Sequence, residues 1–266
     1  MKGQLRRAQV ALLSFACGAL ALPLTAARAD TPRRSYASPQ SFALELKLGP
    51  YSPDLDSEFA SKGTTATPFA DLFGGGSAVL WQTEFDVQLW RGFGSIAIGG
   101  SAGYYSKAAA ACRQGDATDP AQVSCAGSAN RVSGDSTRLT LVPLAALLIY
   151  RFDVLADRLN VPLVPYFKGG LNYTLWWMRN GSGSVSTATP PGGTTALRGQ
   201  GGNLGWQLAG GLALRLDALE PSAARRLDAD YGVNHSYLFG ELVHVESKRL
   251  PDVGDTTFSA GIAFEF

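Results

Sequence analysis

Two histidines, His235 and His244, are the only imidazoles in the chain. Both fall in one short stretch, so any general base for nucleophilic chemistry has to come from there or from a carboxylate. His235 is followed directly by Ser236, and neighbouring side chains on a strand point to opposite faces. That spacing argues against a local His/Ser pair. No glycine-rich phosphate loop, paired-cysteine zinc pattern or nucleophile elbow occurs. No catalytic residue, metal ligand set or cofactor is therefore expected, and the chain reads as a non-enzyme. Asp54, Asp56 and Glu58 form an acidic alternation that could take calcium or another divalent ion; a solvated loop face is the plainer expectation. Of three cysteines, Cys17 lies in the N-terminal apolar stretch, and Cys112 and Cys125 share one polar loop. With no histidine near them, a disulfide closing that loop is expected rather than metal ligation.

The remaining polar groups that could act together are charges set singly among apolar residues: Glu45, Lys47, Glu84, Asp86, Lys168 and Arg215. Each belongs to a run with period two, the signature of a half-buried strand. The first strand, about Ser41 to Gly49, puts Phe42, Leu44, Leu46 and Leu48 against Ala43, Glu45 and Lys47. The second, about Ala78 to Trp90, sets Val79, Trp81, Phe85, Val87 and Leu89 against Gln82, Glu84, Asp86 and Gln88. The third runs from Ser95 to Tyr105. The fifth opposes Phe167, Leu171, Tyr173, Leu175 and Trp177 to Tyr166, Lys168, Gly170, Asn172 and Thr174. In the sixth, Leu204, Trp206, Leu208, Leu212, Leu214 and Leu216 alternate with Gly205, Gln207, Ala209, Gly211, Ala213 and Arg215. The eighth alternates Phe258, Ala260, Ile262, Phe264 and Phe266 with Thr257, Ser259, Gly261, Ala263 and Glu265. The fourth, near Ser136 to Phe152, is apolar on both faces and carries Pro143, which a ladder tolerates mainly at bulges. The seventh, near His235 to Glu246, shows no clear polar face. The facing of these two is left open.

Composition agrees with strands that average themselves out. Hydrophobic residues make up 45% and charged residues 17% of 266, below the roughly 25% charged of ordinary soluble domains. Yet mean hydropathy is only +0.02. Met1–Ala29 has the layout of a secretory signal: basic Lys2, Arg6 and Arg7, an apolar run from Val10 to Leu24, and Ala27-Arg28-Ala29 before Asp30. The run is shorter than the roughly 20 residues of a spanning helix. A twin-arginine signal and lipidation at Cys17 fit the flanking residues poorly. Losing Lys2, Arg6, Arg7 and Arg28 from 23 basic residues leaves 19 against 22 acidic ones, a net charge of −3. Such a balance gives no support to nucleic-acid binding.

Connections between the strands alternate long and short. Those after the first, third and fifth strands are long, whereas Arg91 to Gly94 joins the second and third in a handful of residues. That rhythm is the one of bacterial barrels with long outer loops and short periplasmic turns. Ala218 to Val233 breaks it, and Pro221 followed by Ser-Ala-Ala-Arg-Arg-Leu suggests a turn or two of helix there. Trp81, Trp90, Trp176, Trp177 and Trp206, with Tyr104, Tyr105 and Tyr150, fall near strand ends, where interfacial girdles form. The fold expected is all-β, a closed antiparallel up-and-down transmembrane barrel of eight strands over 41–266. Residues 1–29 are expected to be cleaved, and 30–40 to form a periplasmic segment. A soluble lipocalin-like barrel would bury the apolar rows and expose the charges, and composition alone does not separate the two.

The chain ends Ser259-Ala-Gly261-Ile-Ala-Phe264-Glu-Phe266, which resembles the C-terminal signal by which outer-membrane barrels are recognised for assembly, with Gly261, Phe264 and Phe266 as its residues. With the strand count, the resemblance is to the small eight-stranded outer-membrane barrels typified by OmpA and OmpX. Leu48-Gly-Pro-Tyr-Ser-Pro-Asp-Leu-Asp56, Val164-Pro-Tyr-Phe-Lys-Gly-Gly-Leu171 and Gly232-Val-Asn-His-Ser-Tyr-Leu-Phe239 resemble segments of a myxobacterial group of such barrels. The resemblance implies a location in the outer membrane, with lipid, lipopolysaccharide and the barrel assembly machinery as partners, and no chemistry. A monomer is expected. Glu45, Lys47, Glu84, Asp86, Lys168 and Arg215 would then line the interior and pair, because a lone buried charge is costly. The function expected is structural or surface interaction through the outer loops. Alternatives are a narrow channel for small or apolar solutes and a lipid A-modifying enzyme using His235 or His244.

Overall fold

The computed structural model describes residues 41–57, 67–112, 131–189, 194–248 and 251–266. Its chain order is β1 (Phe42–Tyr51), α1 (Pro68–Phe73), β2 (Ala78–Gly92), β3 (Gly94–Cys112), β4 (Arg131–Arg151), α2 (Val154–Arg158) and β5 (Leu163–Arg179). After these come β6 (Thr187–Ala188), β7 (Leu197–Arg198), β8 (Gln200–Arg215), a 3-10 turn at Leu216–Ala218, α3 (Pro221–Tyr231), β9 (His235–Ser247) and β10 (Asp255–Glu265). Eight strands form one closed barrel in the order β1-β10-β9-β8-β5-β4-β3-β2, every neighbour antiparallel, and β6 pairs with β7 outside it. The signal and N-terminal segment expected over 1–40 lie outside the described residues, as do Glu58 and Cys125, so the expected Cys112–Cys125 bond does too.

Alternation decides which side of each strand turns inward. Along β1, Ala43, Glu45, Lys47, Gly49 and Tyr51 are buried, while Phe42, Leu46 and Leu48 are each more than two-fifths exposed. The same holds for β2, where Glu84 and Asp86 are buried and Trp81 and Phe85 exposed, and for β8, where Gln207 and Ala209 are buried and Leu204, Leu208 and Leu212 exposed. The seam closes at β1 and β10. Ser41 and Phe42 amides donate to the Phe266 carbonyl at 2.8 and 3.2 Å, and the Phe266 amide returns a bond to Phe42 at 2.9 Å. Gly261 sits in that seam opposite Lys47, and a Cβ there would lie 2.1 Å from the Leu46 carbonyl oxygen.

The two strands of uncertain facing have physical explanations. The inner face of β4 is apolar because it supplies lumen packing: Leu139 and Leu141 at one level, Leu147 and Ile149 at another, all buried. Its pairing with β3 skips Gly103 and Tyr104, across from Val142 and Pro143, so the proline's missing N–H falls where the ladder is already interrupted. In β9, Tyr237, Phe239, Glu241 and Val243 face inward and Leu238 and Leu242 outward, so the inner row is aromatic with one acid rather than polar.

Several boundaries differ from expectation. β3 and β4 run on well past Tyr105 and Ser136, pairing with each other up to Cys112 and Arg131. The Ala108–Ala111 run there carries no apolar–polar contrast, so periodicity could not mark it as strand. Trp176 and Tyr105 do not join an outer girdle. Tyr105 is fully buried, and Trp176 packs against the same inner cluster. In the turn after β8, α3 is longer than the turn or two expected and ends on Gly232, whose φ of 71° suits a residue without Cβ.

Candidate functional site

The interior charges meet in one network at mid-barrel. Lys47 from β1 donates to Glu84 of β2 at 2.8 Å and to Glu241 of β9 at 2.7 Å. Lys168 from β5 pairs with Glu45, with Glu84 at 2.7 Å and with Glu241 at 3.6 Å. Arg151, the last residue of β4, reaches Asp86 at 2.5 Å, Glu45 at 2.9 Å and Glu265 at 3.4 Å. Neutral donors complete the acids: Tyr166 to Glu241 at 3.1 Å, Ser259 to Glu241 at 3.0 Å, and Tyr237 to Glu265 at 2.9 Å. The Lys168 ammonium also lies 5.0 Å above the Tyr166 ring and 5.7 Å from that of Phe239.

Of the six charged residues singled out in the sequence, Glu45, Lys47, Glu84, Asp86 and Lys168 come together here. Arg215 does not pair with them. It binds Asp157 of α2 at 2.8 Å and, among the described residues, touches the network through Tyr237, whose hydroxyl lies at 3.3 Å. Sequence reasoning missed Arg151, Glu241, Tyr166, Tyr237 and Ser259, and left Glu265 out of the set. Parity already put Tyr166 on the row of Lys168, and Ser259 and Glu265 on that of Gly261 and Ala263, without marking them as part of the set. Arg151 and Glu241 had no such signal, because their strands carry apolar inner faces.

Five carboxylates against three cations can bind and orient one another, and little else. Ligand atoms of Glu45, Glu84 and Asp86 lie within 4.8 Å of one another. Each of those carboxylates already takes an ammonium or guanidinium, so the trio is the acid side of an ion-pair network.

Apolar and polar layers close the lumen on either side. Toward the long connections, Thr174 donates to Asn172 at 2.9 Å and Asn172 to Gln207 at 3.2 Å. They line a cavity of about 30 Å³ with Gln82 and Ser259, room for a water or two. Over it sits an apolar cap of Tyr51, Phe69, Phe73, Leu80, Tyr105, Leu139, Leu141 and Val253. Tyr51 and Tyr105 meet edge to face at 5.1 Å, and the Tyr51 hydroxyl donates to the Val253 carbonyl. Phe69 and Phe73 come from α1, whose first amides, Phe69 and Ala70, donate to Asp56 at 2.7 and 3.0 Å. The acidic alternation of the first loop thus supplies the cap that Thr67 does not. At the short-turn end, Ala156 of α2 packs with Val164, Tyr166, Ala213, Tyr237, Phe239 and Ala263.

The histidines sit apart from this. The Asp217 carboxylate pairs with His235 Nδ1 and accepts from the Ser236 amide at 3.2 Å and hydroxyl at 3.4 Å. Ser236 is therefore directed at the carboxylate rather than the imidazole. Burial works to raise the Asp217 pKa, but the bonds from His235 and Ser236 outweigh it and hold the carboxyl below its ordinary value. His244 is exposed and contacts Thr256 at 2.7 Å.

No protein-family model and no curated protein matches the chain. Among solved structures it is similar to Neisserial surface protein A, at 14% identity over 86% of this chain and 98% of that one, with a TM-score of 0.40. It is also similar to the outer membrane protein OprG from Pseudomonas aeruginosa, at 11% identity over 86% and 97% of the two chains, with a TM-score of 0.44. For Ail, the attachment invasion locus protein of Yersinia pestis, the values are 9%, 85%, 97% and 0.37.

Proposed function

We propose that the chain is an outer-membrane β-barrel with a sealed lumen, whose role is structural or surface interaction through its long extracellular connections. One observation carries this reading: large apolar side chains are exposed around the whole outer wall while the ionic residues are enclosed. Trp81, Phe85, Leu148, Phe167, Leu171, Leu208, Leu242 and Phe258 are each about half exposed or more, whereas Lys47, Glu84, Asp86, Lys168 and Glu241 are all buried. In water this arrangement would be inside out. In hydrocarbon it is required, because only closed sheets and helices satisfy the backbone and only apolar side chains tolerate the lipid.

The narrow-channel alternative finds no support in the lumen. An eight-stranded barrel has an interior just wide enough for its own side chains, and here ion pairs, an amide layer and an aromatic cap fill it in succession. The protein acts as a monomer, with Gly261, Phe264 and Phe266 read by the barrel assembly machinery. Electrophoresis of outer-membrane fractions with and without heating tests the location: the unheated band should migrate differently. Planar-bilayer recordings test the sealed lumen, for which steady, large single-channel currents would refute closure. Recovery of the mature chain from the periplasm as a detergent-free soluble monomer would overturn the membrane reading itself.

A further inference from the structure

Near the long-connection end of the outer wall, two arginines face each other across one pair of strands. Arg138 of β4 and Arg179 of β5 are direct register partners, which places their Cβ atoms roughly 4.5–5.5 Å apart. Both are exposed, and neither forms an ion pair among the described residues. Like charges directly opposite on a sheet destabilise it unless something of opposite sign lies between them. The nearest acid along β4, Asp135, packs over Gly181, where a Cβ would lie 1.7 Å from its Oδ1, and forms no ion pair with either arginine among the described residues.

The surroundings say where this pair sits. Arg179 stacks over the ring of Trp177 at 5.8 Å, one outward position closer to mid-barrel and opposite Thr140. Below that row the outward residues turn apolar: Leu144, Tyr173, Ala146 and Leu171. Two residues of strand are about 7 Å, so the guanidinium pair stands just above the apolar belt, at headgroup level. On the inner side Leu139 and Met178, also register partners, belong to the aromatic cap, which fixes this stretch of wall. Two planar forks side by side above an indole suit a phosphate oxygen cluster better than a carboxylate of the chain itself.

We propose that Arg138 and Arg179, with Trp177 beneath them, bind a phosphate group of an acylated outer-leaflet glycolipid. This rests on the outer-membrane reading above. Charge complementarity selects the phosphate, and continuity with the lipid-facing belt selects a lipid as its carrier. The attached acyl chains run down β4 and β5 toward a furrow floored by Gly100, Ala146 and Gly169 between Phe85, Ile98 and Leu171.

The full-length mature protein, refolded in zwitterionic micelles, is titrated with bisphosphorylated lipid A, its dephosphorylated form and inorganic phosphate. Tryptophan fluorescence and the thermal unfolding midpoint report binding. Each arginine contributes a charge-assisted bond, so Arg138→Ala or Arg179→Ala should weaken binding of the phosphorylated lipid about tenfold and the double variant about 100-fold. Arg138→Lys/Arg179→Lys keeps the charge without the planar forks and should recover only part of the loss, and the dephosphorylated lipid should bind wild type as weakly as it binds the double alanine variant. A double alanine variant that binds within threefold of wild type, or inorganic phosphate that binds as tightly as the lipid, overturns the site. Unheated gel mobility, run on every variant, separates failures. A wild type that folds and inserts without preferring phosphorylated lipid sinks this site alone, whereas one that never inserts sinks the membrane reading.

Discussion

Arg151→Met tests the lumen network most severely, and the structure ranks its effect. The guanidinium serves Glu45, Asp86 and Glu265. Without it Glu45 keeps Lys168, and Glu265 keeps the Tyr237 hydroxyl. Among the described residues Asp86 keeps nothing, because its other oxygen, Oδ1, already has no partner there. Stripping the partner from a buried charge costs about 3–5 kcal/mol, and with an acid left wholly uncompensated the expected loss is at the top of that range. Lys168→Met also removes a cation bonded to three acids, yet Glu45 keeps Arg151, and Glu84 and Glu241 both keep Lys47. Its loss belongs near about 3 kcal/mol. Adding Asp86→Asn to Arg151→Met removes the orphaned charge and should return about 1–3 kcal/mol. Urea unfolding of protein inserted in phospholipid vesicles, followed by tryptophan fluorescence, reads this directly. At a slope of about 2 kcal/mol per molar the midpoint falls by roughly 2.5 M for Arg151→Met and 1.5 M for Lys168→Met. Equal shifts, a reversed order, or further loss on adding Asp86→Asn would refute the reasoning that pairing in this lumen, rather than bulk, holds the acids.

Three further outcomes follow from the same geometry. Leu208→Arg places a cation on the outward row near mid-barrel and should lower folding free energy in vesicles by about 2–4 kcal/mol; a shift within error would mean that Leu208 does not face lipid. Gly261→Val drives a Cβ into the Leu46 carbonyl and the Lys47 Cα, 2.1 and 2.8 Å away, both backbone atoms that cannot swing aside. It should cost more than about 3 kcal/mol and abolish the heat-modifiable band, while Gly261→Ser folding normally would contradict the clash. The lowered pKa of Asp217 means that its bonds stabilise the turn fully above the unfolded carboxyl's pKa and lose that contribution as pH falls through the folded one. Protection of the Ser236 amide, measured against its intrinsic exchange rate at each pH, should therefore fall on acidification below about pH 4, and Asp217→Asn should remove that dependence.

Alternation along single strands already told which residues share a face. For β1, β2, β5, β8 and β10 that amounts to which residues are enclosed, because a sheet with period-two side chains allows only two facings. The long and short connections likewise ordered the strands. Polarity contrast was the limit of that signal. Where the lumen itself is apolar, as along β4, or aromatic, as along β9, neither face stands out in sequence, and Arg151 and Glu241 went unseen.

Which inward charges meet was decided by tertiary structure alone. Lys47 and Glu241 are 194 residues apart and become bonded only because closing the barrel brings β1 and β9 to the two sides of β10 on one narrow lumen. Arg215 has the same inward parity as Lys168, yet its height in the barrel leaves it with Asp157 instead. Asp56 reads as a loop acid and turns out to hold α1 over the mouth. Parity is a property of neighbours along the chain, whereas height and azimuth inside a cylinder depend on the register of all eight ladders together. No local pattern carries that information.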